Sequence, residues 1–587
     1  MRIVHPLWVL LVCGMLTACG SGSGNSSAAS PPQLPLQLEI SPNNVTLPAG
    51  SSQQFTASLT NGSAAIVTWM VNGQTNGSST VGTITPSGLY TAPMVPPLLE
   101  PVIVSACTSS TCDPIATTHV TVEFSNVSLN GQYIFTFDEI IGGSESRAVG
   151  TITVDSSGNV TGTEDVNSPS DMLTAISITG QYNLSADGQG VLTLSSNAGT
   201  LSMTLGLFAG ANGGVLTDAV AGKIGSGHIY PVTATVNLLS SIQGNYLLSL
   251  GSGIMASADN SVGLLALSSG NIASGSLDEN ISGSNVQDNT VSGSYTVTGD
   301  NRGTLTMSAG SQTSHFAFYA VSADQLELLD MDTGTLKSGE LDFQVNTQGS
   351  LSSSIFQFMG VGTGIMPDVL IATNALAIDS SGTGPCGNNP TFALYENDNG
   401  SYKTATGCFT YPAFTSGRSM ITLATPFGNR NFVFYVQSSN PTNMLETSSG
   451  FGNLAGFAVP AQVAASVGGP AQYVLSVTGQ SPNSKNLSTT QGILQIDFYG
   501  NVTGQVVRDV NGTISTTTVS GKLTPQNTAG YGDAAGIYVL TLNFGGGQSS
   551  SYFVAASSQG IASLMGTNAT EVSSGSLDIQ EEFTSQE

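Results

Sequence analysis

The sequence has 587 residues, enough for several domains, and only 8% of them are charged. Acidic residues outnumber basic ones by 37 to 11, and the formal net charge is −26. Such a chain repels phosphate groups, so the composition excludes binding to nucleic acid or directly to anionic lipid headgroups. After the N terminus no stretch approaches 18 apolar residues, and no transmembrane helix is predicted.

The N terminus has the pattern of an export signal. A positive start precedes an apolar run over residues 3–17, which is too short to span a bilayer stably. The run ends in LTACG, in which Cys19 follows an aliphatic and two small residues. This segment resembles the lipobox of bacterial lipoproteins. The resemblance implies a signal peptide at 1–18 and diacylglycerol on the Cys19 thiol; the alternative is an ordinary secretory signal with a chance cysteine.

Several acyl chains on one cysteine anchor a protein firmly, because each buried methylene contributes about 0.8 kcal/mol. The glycine after Cys19 resembles the sorting signal of outer-membrane lipoproteins, which implies a cell-envelope location facing the periplasm or the surface. Residues 19–34 are rich in Gly, Ser and Pro, so they are predicted to form a flexible tether.

Residues 35–125 alternate apolar and polar residues over short runs bounded by Gly, Pro and Asn, a pattern typical of half-buried strands. The segments ISPNNVTLPAGSSQQFTA, VTWMVNG and GTITPSGLYTAP resemble bacterial group 2 immunoglobulin-like domains. The resemblance implies a β-sandwich with a spacer or adhesion role. Trp69 lies between Val67 and Val71 at alternate positions, which favours a core position over a sugar-stacking one.

Four cysteines remain beyond the signal and the lipid site, and they form two local pairs. Export to an oxidising compartment predicts disulfides between Cys107 and Cys112 and between Cys386 and Cys408. A zinc site is disfavoured because neither pair has a histidine beside it.

The rest of the chain is a repeat. An aromatic residue in a similar context recurs roughly every 110–117 residues, at Tyr133, Tyr246, Phe356 and Tyr473. The repeat predicts four units, at 127–238, 239–348, 350–465 and 468–582.

Each unit is predicted to be all-β, because no run longer than ten residues has a helical period. The first unit contains about eight short strands, which start near residues 132, 148, 159, 177, 190, 200, 214 and 227. Eight consecutive antiparallel strands can bury their edges by closing into an up-and-down barrel of avidin-like or lipocalin-like size. A two-sheet sandwich is the alternative. We expect a packed interior rather than a ligand cavity.

One polar pattern recurs in the units. Asp and Asn stand two residues apart at Asp165 and Asn167, at Asp278 and Asn280, and at Asp509 and Asn511, and the third unit has Asn397 and Asn399 instead. Oxygen ligands at this spacing could bind Ca²⁺. Turn capping is the favoured interpretation, because Asp and Asn side chains bond to their own backbone two residues on.

The sequence predicts a non-enzymatic protein. It contains no HExxH, GxSxG or Walker motif, and its few histidines have no partnered nucleophile nearby. Tandem domains on a tether favour adhesion or binding of a glycan or protein ligand, with no cofactor except the lipid and membrane contact through that anchor alone. The alternatives are a glycan-processing enzyme with paired carboxylates and a structural spacer.

Overall fold

The structure is a computed structural model of the 587-residue chain. It describes residues 37–108, 112, 115–237, 239–251, 259–281, 284–345, 354–361, 367–375, 386, 391–410, 417–437, 442–448, 453–460, 470–482, 484, 486–526, 536–557 and 561–583. The signal, Cys19 and the tether lie outside the described residues.

The N-terminal domain is built from three small β-sheets. Its strands are β1 Leu38–Ser41, β2 Val45–Pro48, β3 Ser52–Gln54, β4 Thr56–Leu59, β5 Thr68–Val71, β6 Gln74–Thr75, β7 Gly77–Ser78, β8 Gly82–Ile84, β9 Leu89–Thr91, β10 Leu99–Glu100, β11 Val102–Cys107 and β12 Ile115–Glu123. One sheet has the order β2-β12-β11-β5-β6 and another β3-β9-β8-β7, while β1 pairs with β4. Trp69 is only 4% exposed and packs against Phe55, which confirms its predicted core position.

Four closed eight-stranded antiparallel barrels follow the N-terminal domain. Barrel 1 contains β13 Gly131–Ile141, β14 Ser144–Val154, β15 Asn159–Asn167, β16 Met172–Leu184, β17 Gln189–Ser196, β18 Gly199–Leu207, β19 Gly214–Asp218 and β20 Lys223–Pro231. Barrel 2 contains β21 Gly244–Gly251, β22 Asp259–Ser268, β23 Asn271–Ile281, β24 Ser284–Gly299, β25 Arg302–Ala309, β26 Gln312–Ala320, β27 Gln325–Asp330 and β28 Ser338–Phe343.

The second half of the chain repeats this plan. Barrel 3 contains β29 Ser354–Val361, β30 Pro367–Ala375, β31 Thr391–Asp398, β32 Ser401–Thr410, β33 Arg418–Thr425, β34 Gly428–Val436, β35 Thr442–Glu446 and β36 Asn453–Pro460. Barrel 4 contains β37 Ala471–Gln480, β38 Leu487–Ile496, β39 Asn501–Val510, β40 Thr513–Pro525, β41 Ile537–Gly545, β42 Gln548–Ala556, β43 Ile561–Gly566 and β44 Val572–Phe583. The barrels confirm the predicted closure and exclude the sandwich alternative for the repeats.

Strict alternation along each strand fills the barrels. In β13 the side chains of Tyr133, Phe135 and Phe137 all point into the core of barrel 1, and each is at most 5% exposed. Comparable apolar clusters fill the other three barrels. This arrangement follows from the two-residue period of a strand, which sends every second side chain inward.

The barrels pack head to tail and close into a ring. The second strand of each barrel lies against the last strands of the next: β14 on β26 and β27, β22 on β34 to β36, and β30 on β43 and β44. The second strand of barrel 4, β38, lies on β18 to β20 of barrel 1 and completes the cycle. A heterologous contact that returns to its starting point makes a closed ring.

The N-terminal domain contacts this ring through a strand pairing and a backbone hydrogen bond. Strand β10 adds in parallel to β44, with Glu100 opposite Phe583, and the Phe124 amide donates a hydrogen bond to the Ala186 carbonyl of barrel 1. The two predicted disulfides, Cys107–Cys112 and Cys386–Cys408, are both present. Among the described residues no helix is long and apolar enough to cross a bilayer.

Candidate functional site

The predicted Asp and Asn residues lie at the junctions between barrels. Asp165 is fully buried near the end of β15, where its carboxylate receives two hydrogen bonds from Arg302 of barrel 2, at 2.7 and 2.8 Å. Tyr319 of barrel 2 donates a third, at 2.7 Å, and the Ala175 amide donates a fourth from its own barrel, at 2.9 Å. The second junction has the same arrangement.

At that second junction Asp278 of barrel 2 is also fully buried. Arg418 of barrel 3 donates two hydrogen bonds to its carboxylate, at 2.8 and 2.6 Å. Tyr435 of barrel 3 and the Asp288 amide donate two more. Ala175 and Asp288 both have positive φ and lie opposite register shifts, so each aspartate satisfies the amide of a bulge while it holds the next barrel.

The asparagines make a second recurring contact. The Asn167 amide group donates to the carbonyls of Asp330 and Thr335 in barrel 2, at 2.6 and 3.1 Å. Asn280 donates to the Glu446 carbonyl of barrel 3, at 3.1 Å. In the third unit Asn397 donates to carbonyls of barrel 4, including that of Gly566 at 2.7 Å.

Turn capping is therefore wrong for Asp165, Asn167, Asp278 and Asn280, because these side chains lie within strands and bind the next barrel. Asn511 lies in the turn between β39 and β40 and has a φ of 53°. Within the part of the chain that the structure describes, no three His, Cys, Asp or Glu side chains converge as ligands for a metal ion.

The junction between barrels 4 and 1 departs from this pattern. Asp509 is 1% exposed, and among the described residues no side chain of barrel 1 donates a hydrogen bond to its carboxylate. Burial raises its pKa to about 6. Gln491 makes the connecting contacts instead, since its side chain accepts from Thr204 and Thr217 and donates to the Val215 carbonyl at 3.1 Å.

A polar cleft opens between barrels 1 and 2. Its volume is about 300 Å³, and outward-facing residues of β13 and β20 line one wall while β21, β27 and β28 line the other. Asp138 faces it from barrel 1, and Glu327 and Glu340 face it from barrel 2. The two glutamates are directly opposite each other on β27 and β28, so their Cβ atoms are about 5 Å apart.

The cleft concentrates carboxyl groups whose pKa values are raised by burial and by neighbouring carboxyl groups. The pKa values of Glu327 and Glu340 are raised by burial first, and the charge of Glu340 further raises that of Glu327. The pKa of nearby Asp342 rises to about 8 for the same two reasons. Opposite them, solvent reaches the His228 ring within the cleft, yet the surrounding protein lowers its pKa to about 4, so this ring is neutral at pH 7.

One arginine lies beside the cleft and bonds to residues that line it. Arg147 is 1% exposed and donates to the Gly251 carbonyl and the Ser338 hydroxyl of barrel 2, at 2.9 and 2.7 Å. It also pairs with Glu145 at 2.9 Å and lies 3.8 Å from Asp138. In the described residues no salt bridge reaches Glu327 or Glu340, so these two groups are available to a cationic ligand.

Sequence reasoning missed this cleft. Its two walls come from different repeats, and a Glu in a strand gives no sign that a second Glu lies across the ladder. The alternation around Glu327 and Glu340 places both on the outer face of barrel 2, but nothing local shows that barrel 1 covers that face.

Comparisons with known proteins give a weak structural match and no family for this chain. No protein family matches the chain, and no curated protein matches it. One solved structure with detectable similarity is a tryptophan-to-alanine mutant of the vaccine antigen transferrin binding protein B from Haemophilus parasuis, at 10% identity. The match covers 63% of this chain and 84% of that chain, with a TM-score of 0.18. A score this low carries no argument about fold or function.

Proposed function

We propose that this chain is a non-enzymatic, lipid-anchored binding protein of the bacterial cell envelope, and that the cleft between barrels 1 and 2 binds a positively charged protein segment. The carrying observation is the cross-strand pair of Glu327 and Glu340, which faces a cavity of about 300 Å³ without a cationic partner in the described residues. Lysine and arginine side chains supply the positive charge that this pair lacks, together with several N–H donors.

Ligand arrays on the soluble Cys19→Ala protein test the binding site. We expect basic peptides to be captured in preference to acidic peptides and neutral glycans, with an affinity that falls as salt rises. The Glu327→Gln/Glu340→Gln variant should bind roughly tenfold more weakly or worse, since each charge-assisted hydrogen bond contributes about 1.5–3 kcal/mol. Asp171→Asn, a change at an exposed loop, is the matched control. Unchanged binding by the double variant would overturn the assignment.

The anchor is tested in the producing cell. Full-length protein should fractionate with membranes and carry radioactive palmitate, whereas Cys19→Ala should lose both properties. Label that persists on the variant would contradict a lipid on Cys19.

The same glutamate pair favours a second candidate, a retaining glycoside hydrolase. Such enzymes place two carboxyl groups about 5–5.5 Å apart, and the cross-strand pairing of Glu327 with Glu340 brings two carboxyl groups together on one wall of the cleft. Release of reducing sugar from a glycan panel, abolished by either single Glu→Gln change, would establish this activity in place of simple binding.

A further inference from the structure

The inner end of barrel 1 holds a second group of carboxylates, separate from the cleft. Glu139, Glu164 and Asp218 are 4%, 3% and 1% exposed. Lys223 pairs with Glu139 at 2.9 Å, and the Val220 amide donates to Asp218 at 3.1 Å. The Oε2 atom of Glu164 and the Oδ2 atom of Asp218 are buried and have no hydrogen-bond donor among the described residues.

Two of these three groups border a cavity in the barrel mouth. The cavity measures about 120 Å³, and both Glu139 and Glu164 line it together with Leu201 and Lys223. A single lysine cannot neutralise three carboxylates, and burial together with neighbouring Glu139 raises the pKa of Asp218 to about 7. Buried acceptors without donors are costly, so the mouth favours a ligand that brings several N–H groups.

Barrel 3 shows which group fits such a mouth. There Arg430 is buried among three carboxylates, with Nε and Nη2 both 2.9 Å from the two oxygens of Glu446. Its Nη1 donates to Glu396, and Asp368 lies 3.4 Å from Nη2. One planar guanidinium thus supplies N–H donors to all three carboxyl groups from within the barrel.

The strand registers identify the residue that replaces this arginine in barrel 1. Arg430 stands two residues before Phe432, which pairs with Glu446. In barrel 1 the residue that pairs with the acidic Asp218 is Met203, and two residues before it stands Leu201. Barrel 1 therefore keeps acidic groups at its mouth but has a leucine where barrel 3 has its guanidinium.

We propose that the mouth of barrel 1 is a binding site for an external guanidinium group, held by Glu164, which lines the cavity with an unpartnered carboxylate oxygen, as carboxylates of barrel 3 hold Arg430. The ligand is an arginine side chain of a partner or a small guanidine compound. This site lies apart from the cleft between barrels 1 and 2 and does not depend on the function proposed for it.

Calorimetric titration of the whole soluble protein with N-butylguanidinium tests the proposal, with N-butylurea as the neutral compound of the same shape. We expect saturable binding of the cation and none of the urea. Glu164→Gln should weaken binding by about tenfold or more. Leu201→Arg should abolish it and raise the midpoint of thermal unfolding, because the new guanidinium fills the mouth as in barrel 3.

Two further variants separate the alternatives. Asp171→Asn and Glu327→Gln/Glu340→Gln should leave this binding unchanged. Binding that survives Leu201→Arg but is lost in the double variant belongs to the cleft and overturns the mouth site without affecting the proposed function. Absence of saturable binding, or equal binding of the urea, also overturns it; if Leu201→Arg fails to fold, the isosteric Glu164→Gln decides.

Discussion

The carboxylate of Asp165 is held by a guanidinium that lies 137 residues further along the chain, and that of Asp278 by one 140 residues further. No local signal in the sequence links such partners. The recurring Asp-x-Asn pattern can be read from the sequence, but the contacts of these side chains depend on which barrel covers them. Trp69 could be placed correctly because its burial follows from the alternation of its immediate neighbours.

Arg302→Met should lower the free energy of unfolding by about 3–5 kcal/mol, because it leaves the fully buried Asp165 carboxylate without its countercharge. Chemical denaturation measures the change. The matched control is Lys403→Ala, which removes a pair with Asp398 whose two side chains are about one-third exposed; such a pair contributes about 0–1 kcal/mol. Equal effects of the two substitutions would show that the junction is not held by this ion pair.

At the scale of strands, the sequence predicts that the repeats close into barrels but does not predict how the barrels dock. Eight alternating runs in the first repeat favour a barrel with closed edges, and the structure has four such barrels. The second strands of the barrels also carry outward apolar residues, such as Val149, Val262 and Val369, which form the junction clusters. A strand with apolar residues on both faces resembles any buried strand, so the sequence does not show whether its outer face meets another barrel.

The barrels dock in the same way at different junctions, but through different side-chain contacts. Where barrels 1 and 2 use Asp165 with Arg302, barrels 3 and 4 stack Tyr395 on Phe553 with ring centroids 3.7 Å apart. Tyr395 stands two residues before Asn397, as Asp165 stands two before Asn167. An apolar contact can replace a buried ion pair without loss of stability. The side chains at equivalent junction positions therefore differ between repeats, although the barrels dock in the same way.

Gln491→Ala should loosen the junction between barrels 4 and 1 without unfolding either barrel. The substitution removes the contacts to Thr204, Thr217 and the Val215 carbonyl. We expect faster amide hydrogen exchange in β18, β19 and β38, with barrels 2 and 3 unchanged. Gln132→Ala removes a glutamine bond to Thr151 inside barrel 1 and is the control. Uniform loss of protection in all barrels would contradict a local role.

At the scale of the molecule, four similar junctions make a ring that the spacing of repeats alone does not predict. A repeat of this kind could equally form an extended array, because the rotation between neighbours decides whether a heterologous contact closes. Here close approach at the last junction is possible because Gly512 meets Gly222 backbone to backbone, where a Cβ would lie 2.7 Å from the Gly222 Cα.

The whole molecule should be more stable in mild acid than in mild base. Burial raises the pKa of Glu100, Asp342 and Asp368 to about 8, and that of Glu581 to about 7. The folded chain therefore keeps protons that the unfolded chain releases near pH 4, so the free energy of unfolding falls as pH rises from about 4 to 8. At constant ionic strength we expect a thermal midpoint roughly 5 °C or more higher at pH 5 than at pH 8.5. Asp342→Asn should flatten this slope, and a midpoint that rises with pH would show that these carboxyl groups ionise freely in the folded protein.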